Sequence, residues 1–255
     1  MDLDLKGKIV LVTGGSKGIG FSCARLFASE GARIVLSSRS QANLDSALVQ
    51  LPDALGFAAD LSLEDQALEV VEKIERDIGP IDILVNCAGA ARRTPASDLT
   101  PALWRSAMDA KYFSYINVID PVVKRMAVRG AGVIVNVIGS GGKIASPTHL
   151  AGGAANAGLM LATVGLAKAY AEQGVRVVGI NPGLTETGRV AEGMKAEAAL
   201  AGTTVEDALA NALKRIPLGR TEDIAQFVAF LSSPRASYIT GVIVNMDGAQ
   251  SSTIV

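Results

Sequence analysis

The chain has 255 residues, 49% of them hydrophobic, with a formal net charge of −1. That is enough chain and enough apolar side chain for one large α/β domain with a buried core. The balanced charge argues against a nucleic-acid or membrane-surface partner, and the charged opening Met1-Asp2-Leu3-Asp4-Leu5-Lys6 is unlike a signal peptide. Residues Leu150 to Ala167 carry no formal charge and approach membrane-spanning length, but Gly, Ala and Asn156 make them read as a tightly packed buried helix. Cys23 and Cys87 lie far apart in sequence and form no metal or redox motif, so a cytoplasmic protein with reduced thiols and no metal is expected.

In chain order, the apolar run Lys8 to Val12 reads as a short buried strand. The turn Thr13-Gly14-Gly15-Ser16-Lys17-Gly18-Ile19-Gly20 follows, and Phe21 to Phe27 restores apolar residues at helical spacing. A strand, a glycine-rich turn and a helix N-terminus make a phosphate cradle. Backbone N–H groups and the positive end of the helix dipole face the anion, and glycine lets the backbone approach it closely. A second strand, Arg33 to Ser37, ends beside Ser38-Arg39-Ser40, about 20 residues beyond the cradle, where a dinucleotide fold holds the adenosine ribose. No acid stands between Leu36 and Ser40, while Lys17 and Arg39 are basic. That pattern favours NADP(H) over NAD(H).

A helix from about Asn43 to Gln50 leads to a strand at Leu55 to Ala59, ending at Asp60. Ser62-Leu63-Glu64-Asp65 has the form of a capping box for a helix to about Ile78, stopped by Gly79-Pro80. Ile81 to Val85 is the fourth strand, Gly132 to Asn136 the fifth, and Arg176 to Asn181 the sixth. A long helix spans Ala151 to Glu172. The segment Leu184 to Arg215 has no strand pattern. A last helix, about Glu222 to Leu231, and a seventh strand, Val242 to Met246, close the chain. Nearly all-apolar strands alternating with helices predict a parallel sheet covered on both faces.

These residues resemble the short-chain dehydrogenase/reductase family. Thr13 to Gly20 matches its T-G-x-x-x-G-x-G loop. Asn86-Cys87-Ala88-Gly89 is similar to its N-N-A-G segment, and Asn181-Pro182-Gly183 with Thr187 to its P-G-x-x-x-T segment. The tail from Ile216-Pro217-Leu218-Gly219-Arg220 to Gly241 and Asp247-Gly248 follows the family pattern too. The resemblance covers nearly the whole chain. It implies a single Rossmann-type domain over residues 1–255, a doubly wound seven-stranded parallel sheet, and a substrate lid at about 184–215, with Arg189, Met194 and Lys195 as candidates to line it. It carries cofactor contacts onto Gly14, Ser16, Lys17, Gly18, Ile19, Gly20, Ser38, Arg39, Asp60, Leu61, Asn86, Ala88, Gly89, Pro182, Gly183, Thr185 and Thr187. It also implies a homo-dimer or homo-tetramer acting on a small-molecule substrate.

The family usually works through an Asn, a Ser, a Tyr and a Lys. Matched residue by residue, Gly139 falls at the Ser position, Gly152 at the Tyr position, Asn156 at the Lys position and Lys111 at the Asn position. Lys and Asn look transposed, and two glycines are expected to empty space over the nicotinamide for a bulkier substrate. Lys111 and His149, the sole histidine, are then candidates for acid–base work, with the ordinary histidine pKa suited to it; Ser140 and Asn156 are candidate hydrogen-bond donors. Tyr112 and Tyr115 read as packing residues. The resemblance implies an NADP(H)-dependent oxidoreductase acting on a carbonyl/alcohol or an activated double bond. Two alternatives stand beside it: an NADP(H)-binding sensor without turnover, and a non-redox enzyme on the same fold.

Overall fold

A computed structural model describes residues 2–89, 91–214 and 218–251. Ile216 and Pro217, at the head of the family-like tail, lie outside the described residues. Seven strands form one parallel sheet: β1 (Ile9–Thr13), β2 (Arg33–Ser38), β3 (Leu55–Ala58), β4 (Ile83–Asn86), β5 (Gly132–Val137), β6 (Val175–Pro182) and β7 (Ile243–Met246). Their order is β3-β2-β1-β4-β5-β6-β7, so the connection direction reverses between β1 and β4. Ligands of open parallel sheets bind in the crevice at such a reversal, beyond the carboxyl ends of the strands.

Side chains alternate across the strands with a period of two and feed two cores. Leu11, Leu84, Ile134 and Val177 meet α3 (Glu64–Asp77), α5 (Ser114–Arg129) and α6 (Leu150–Tyr170) on one face. Val12, Leu36, Val135 and Ile180 meet α1 (Gly18–Ser29), α2 (Gln41–Leu48) and α9 (Thr221–Ser232) on the other. One helix, α6 with its short extension, is long and apolar enough to cross a membrane. In this fold one face of it, from Ala151 through Asn156 and Leu159 to Ala167, is buried, while Leu161 and Val164 stay exposed.

Polar residues at the carboxyl ends of the central strands join in a buried chain. The Thr13 hydroxyl donates to Asn86 Oδ1 (3.2 Å), Asn86 Nδ2 to Asn136 Oδ1 (3.0 Å), and Asn136 Nδ2 to Thr163 Oγ1 on α6 (2.9 Å). The register makes this possible, because Thr13 pairs with Asn86 and Asn86 with Asn136 across neighbouring strands. Thr13 Oγ1 also accepts the N–H groups of Cys87 (3.2 Å) and Ala88 (3.3 Å), which fixes how the chain leaves β4.

Element ends depart from the sequence pattern in instructive ways. The capping box at Ser62 does not form: its hydroxyl donates to Asp60 Oδ1 (2.7 Å), and α3 starts at Glu64 with no side-chain cap. Helix α2 begins earlier than expected because Ser40 caps it, accepting from the Asn43 N–H at 3.3 Å. The segment after β6, expected only to lack strands, holds two helices, α7 (Arg189–Ala201) and α8 (Val205–Leu213). Between β4 and α5 lie α4 (Pro101–Met108) and one π-helical turn, Asp109–Phe113.

Replacing Asn136 with Ala leaves the Asn86 amide nitrogen without its acceptor and removes the donor to the Thr163 hydroxyl, which still donates to the Leu159 carbonyl (2.7 Å). We expect a loss of about 1–3 kcal/mol in a urea unfolding titration. An unchanged midpoint would show that the amide chain does not support the fold.

Candidate functional site

At the β1/β4 reversal a cavity of about 1570 Å³ opens over the carboxyl ends of the strands. One end is the glycine turn. Gly14 (φ +63°) and Gly18 (φ +54°) occupy left-handed backbone. A side chain at Gly14 would lie 2.8 Å from the Ala88 Cα, and one at Gly20 2.5 Å from the Gly14 carbonyl oxygen. The turn is therefore packed to a tolerance only glycine meets. Helix α1 has no side-chain cap at Lys17 and no acid in its first turn, which leaves its leading N–H groups and dipole to an outside anion. These residues fit a dinucleotide pyrophosphate.

Most of the residues expected to touch a cofactor line this cavity: Gly14, Ser16, Lys17, Gly18, Ile19, Gly20, Ser38, Arg39, Asp60, Leu61, Ala88, Gly89, Pro182, Gly183 and Thr187. Ser16 Oγ donates to Ser38 Oγ (3.0 Å), tying the turn to the end of β2, and Lys17 and Arg39 are exposed at the rim. Two of the expected residues take other positions. Asn86 is wholly buried and spends its side chain on Thr13 and Asn136, and the hydroxyl of buried Thr185 donates to the Gly183 carbonyl at 3.2 Å. Both build the walls rather than face the cavity.

Lys111, Ser140, His149 and Asn156 line the other end. The π-turn aims Lys111 inward, where it is 7% exposed. Its Nζ donates to Tyr115 Oη (2.7 Å) and to the Val137 carbonyl (3.1 Å), and it lies 4.3 Å from the centroid of the Tyr115 ring. Tyr115 packs in the core, as expected, but its hydroxyl also holds the lysine, a role signalled only by the four-residue spacing. Asn156 is buried on α6, and its amide nitrogen lies 3.3 Å from the point a Cβ on Gly139 would take. Gly139 adopts φ +129°, which a serine would adopt only under strain. Ser140 opens a short 3-10 turn beside it.

The space expected to be empty over Gly152 is filled by His149. A Cβ on Gly152 would fall 2.2 Å from the imidazole Cε1, and one on Gly141 2.8 Å from its Cδ2. The two glycines are what admit the ring. Its pKa is pushed down to about 4, first by burial and then by the charges of Arg93 and Lys111, against an opposing effect of Glu197. This corrects the expectation of ordinary histidine acid–base chemistry: near neutrality the ring is uncharged and acts only as a neutral hydrogen-bonding group. Its Nδ1 is buried without a hydrogen-bond partner among the described residues.

Sequence reasoning missed Arg93, Thr148 and Glu197, which meet at the cavity wall. Arg93 Nη1 donates to Glu197 Oε1 (3.0 Å) and Thr148 Oγ1 (3.3 Å). Arg93 follows the carboxyl end of β4, the position that could have drawn attention to it. In the segment expected to form a lid, Met194 turns inward to the cavity, Lys195 is exposed, and the side chain of Arg189 lies outside the described residues. The fold also brings the distant Cys23 and Cys87 together. Their sulfurs interact, and that contact together with burial pushes the Cys23 thiol well up from its ordinary value.

The family model described as enoyl-(acyl carrier protein) reductase matches residues 14–249. The 2-dehydro-3-deoxy-D-gluconate 5-dehydrogenase of Formosa agariphila is 33% identical over 256 residues, covering 98% of this chain and 95% of that protein. The 3-oxoacyl-[acyl-carrier-protein] reductase FabG of Thermotoga maritima is 34% identical over 251 residues, covering 96% and 98%. Among solved structures, the L-sorbose reductase of Gluconobacter frateurii, complexed with NADPH and L-sorbose, superposes with a TM-score of 0.90 at 28% identity over 100% of both chains.

As the sole histidine, His149 gives one resolved imidazole titration by proton NMR, expected at about 4. Unfolded, it titrates near 6.5, so as pH falls from about 6.5 to about 4 the unfolded chain takes a proton the folded one refuses. His149 therefore subtracts stability progressively across that window, and by a constant amount below it. A titration near 6.5 would mean that the ring stands in water.

Proposed function

The chain belongs to the short-chain dehydrogenase/reductase family, and on that premise we propose that it is an NADP(H)-dependent oxidoreductase acting on a small carbonyl/alcohol or an activated double bond, with Lys111 as its principal polar catalytic group. The observation that carries this reading is the single cavity running from the glycine cradle to a buried lysine. Oxidoreductases are also what the relatives are by name, one a dehydrogenase and one a reductase.

Bound at the cradle, NADPH supplies a hydride. The Gly14–Gly20 turn would hold its pyrophosphate, and Lys17, Ser38 and Arg39 would take the 2′-phosphate, where an acid would repel it. The residues at the far end handle the oxygen. Lys111 Nζ offers a positive charge and a proton to an oxygen that becomes anionic as the carbonyl is reduced, and Tyr115 Oη and the Val137 carbonyl hold that ammonium in place. The Asn156 amide and Ser140 hydroxyl are placed to orient the substrate. His149, neutral near pH 7, excludes water and can hold one hydrogen bond without acting as the acid.

On this reading Gly139 and Gly152 stand where the family's Ser and Tyr stand, so the proton leaves a lysine rather than a tyrosine. The setting is cytoplasmic and homo-oligomeric: Leu161, 76% exposed, and Val164 on α6 form apolar surface suited to a second copy.

Fluorescence titration with NADPH and NADH is expected to show tighter NADPH binding, and Arg39→Ala to weaken NADPH on the order of tenfold while leaving NADH little changed. Binding of neither nucleotide would sink the reading. In a panel of carbonyl and enoyl substrates, Lys111→Met should lower kcat by roughly 10²–10⁴ with NADPH affinity preserved. NADPH binding with no turnover of any panel member would favour the sensor, and turnover without an absorbance change at the nicotinamide band would favour non-redox chemistry.

A further inference from the structure

The lid helix α7 packs chiefly on its neighbour α8, so its tie to the body of the protein rests on a few side chains. Met194 and Ala198 are buried on its inner face, and between them projects Glu197. One oxygen of that carboxylate, Oε1, receives two donors from opposite segments of the cavity wall. Arg93 Nη1 reaches it at 3.0 Å from the segment after β4, and the hydroxyl of the fully buried Thr148 contacts it from the segment before α6. The wall is itself knitted together at this point. Arg93 also donates to Thr148 Oγ1 (3.3 Å), Ser146 Oγ lies 3.1 Å from that hydroxyl, and the Thr94 N–H donates to the Thr148 carbonyl (2.8 Å).

We propose that Glu197 is the latch of the lid: by clasping Arg93 and Thr148 it holds α7 down over the end of the cavity and thereby positions and shields the imidazole of His149. The residue next to Thr148 in the chain is His149 itself, so whatever fixes Thr148 fixes the root of the ring. Glu197 and Arg93 are then positioning residues, acting through His149 and the lid rather than on a substrate. Their service to catalysis rests on the reductase reading above. The latch itself is tested by measurements that need no turnover, so either can fail alone.

Three charged groups act on His149: Arg93, Lys111 and Glu197. If Glu197 were only a neighbouring charge, Glu197→Gln would remove an anion and move the His149 titration further below about 4. If it is the latch, the same substitution frees α7, lets water reach the ring and relieves its burial, which is the largest cause of the depression. The titration then rises toward 6.5. The two readings predict opposite signs from one NMR signal. Hydrogen exchange gives the second readout: α7 amides in Glu197→Gln and in Arg93→Gln should exchange on the order of tenfold faster, as expected for loss of a charge-assisted tie. Arg93→Lys, which keeps a cation, should retain most of the protection. A His149 titration that falls or stays in place in Glu197→Gln, or α7 exchange unchanged in both Gln variants, overturns the proposal.

Discussion

Everything at the cavity depends on a line of buried amides and hydroxyls along one end of the sheet. Thr13 and Asn86 close β1 and β4, and Asn136 and Asn181 stand one residue from the ends of β5 and β6, each at most 1% exposed. Such groups are costly to bury unless they find partners, and here they find one another across strands already in register. A one-residue slip of any strand would turn its amide to the wrong face. The chain of hydrogen bonds thus couples sheet register to the exit of the segment after β4, whose Cys87 and Ala88 N–H groups donate to Thr13 Oγ1. Asn181 extends the constraint, bonding Asn245 on β7 (3.2 Å) and accepting the Gly139 N–H at 3.4 Å. The bend at Gly139 is in this sense anchored to the sheet.

The two ends of the cavity use different physics. At the cradle the recognition groups are backbone N–H donors and a helix terminus, made available by the absence of side chains at Gly14, Gly18 and Gly20. At the far end the groups are side chains held in a protected space. An ammonium there is expensive to desolvate, and Lys111 is supported by a carbonyl, a phenol oxygen and the face of the same aromatic ring. Beside it, a ring that could have become a second cation stays neutral. The result is a fixed ammonium adjoining an uncharged imidazole, with the Arg93 guanidinium held apart by Glu197.

The sheet, the glycine turn and the strandless stretch after β6 are legible because they depend on local signals: apolar runs, glycines between a strand and a helix, and an absence of strand patterning. The far end was legible as a set of residues but not as an arrangement. Nothing in the sequence says that the His149 ring turns back between Gly141 and Gly152, so the vacated volume was misjudged as open. Ser62 looked like a cap because the motif is local, yet Asp60 competed successfully for its hydroxyl. Asn86 and Thr185 sit in family-like segments whose neighbours face the cavity, and only strand register and a local turn reveal that they do not. The pairs that join distant segments, Arg93 with Glu197 and Cys23 with Cys87, depend on tertiary geometry that no spacing encodes.

The packing of His149 against two glycines also sets the order in which this site can change. Enlarging position 152 while the imidazole is present brings two groups into the same volume. Shrinking position 149 first removes the nearest obstacle, leaving the Ala91 Cβ, 2.8 Å from the same point, to yield as position 152 grows. Each change is thus conditional on the other, and the accessible route between a histidine-filled pocket and one filled from α6 runs through a transient cavity rather than through a clash. Saturation mutagenesis at position 152 alone would sample little beyond glycine, whereas paired libraries at 149 and 152 would reach side-chain combinations that neither position admits by itself.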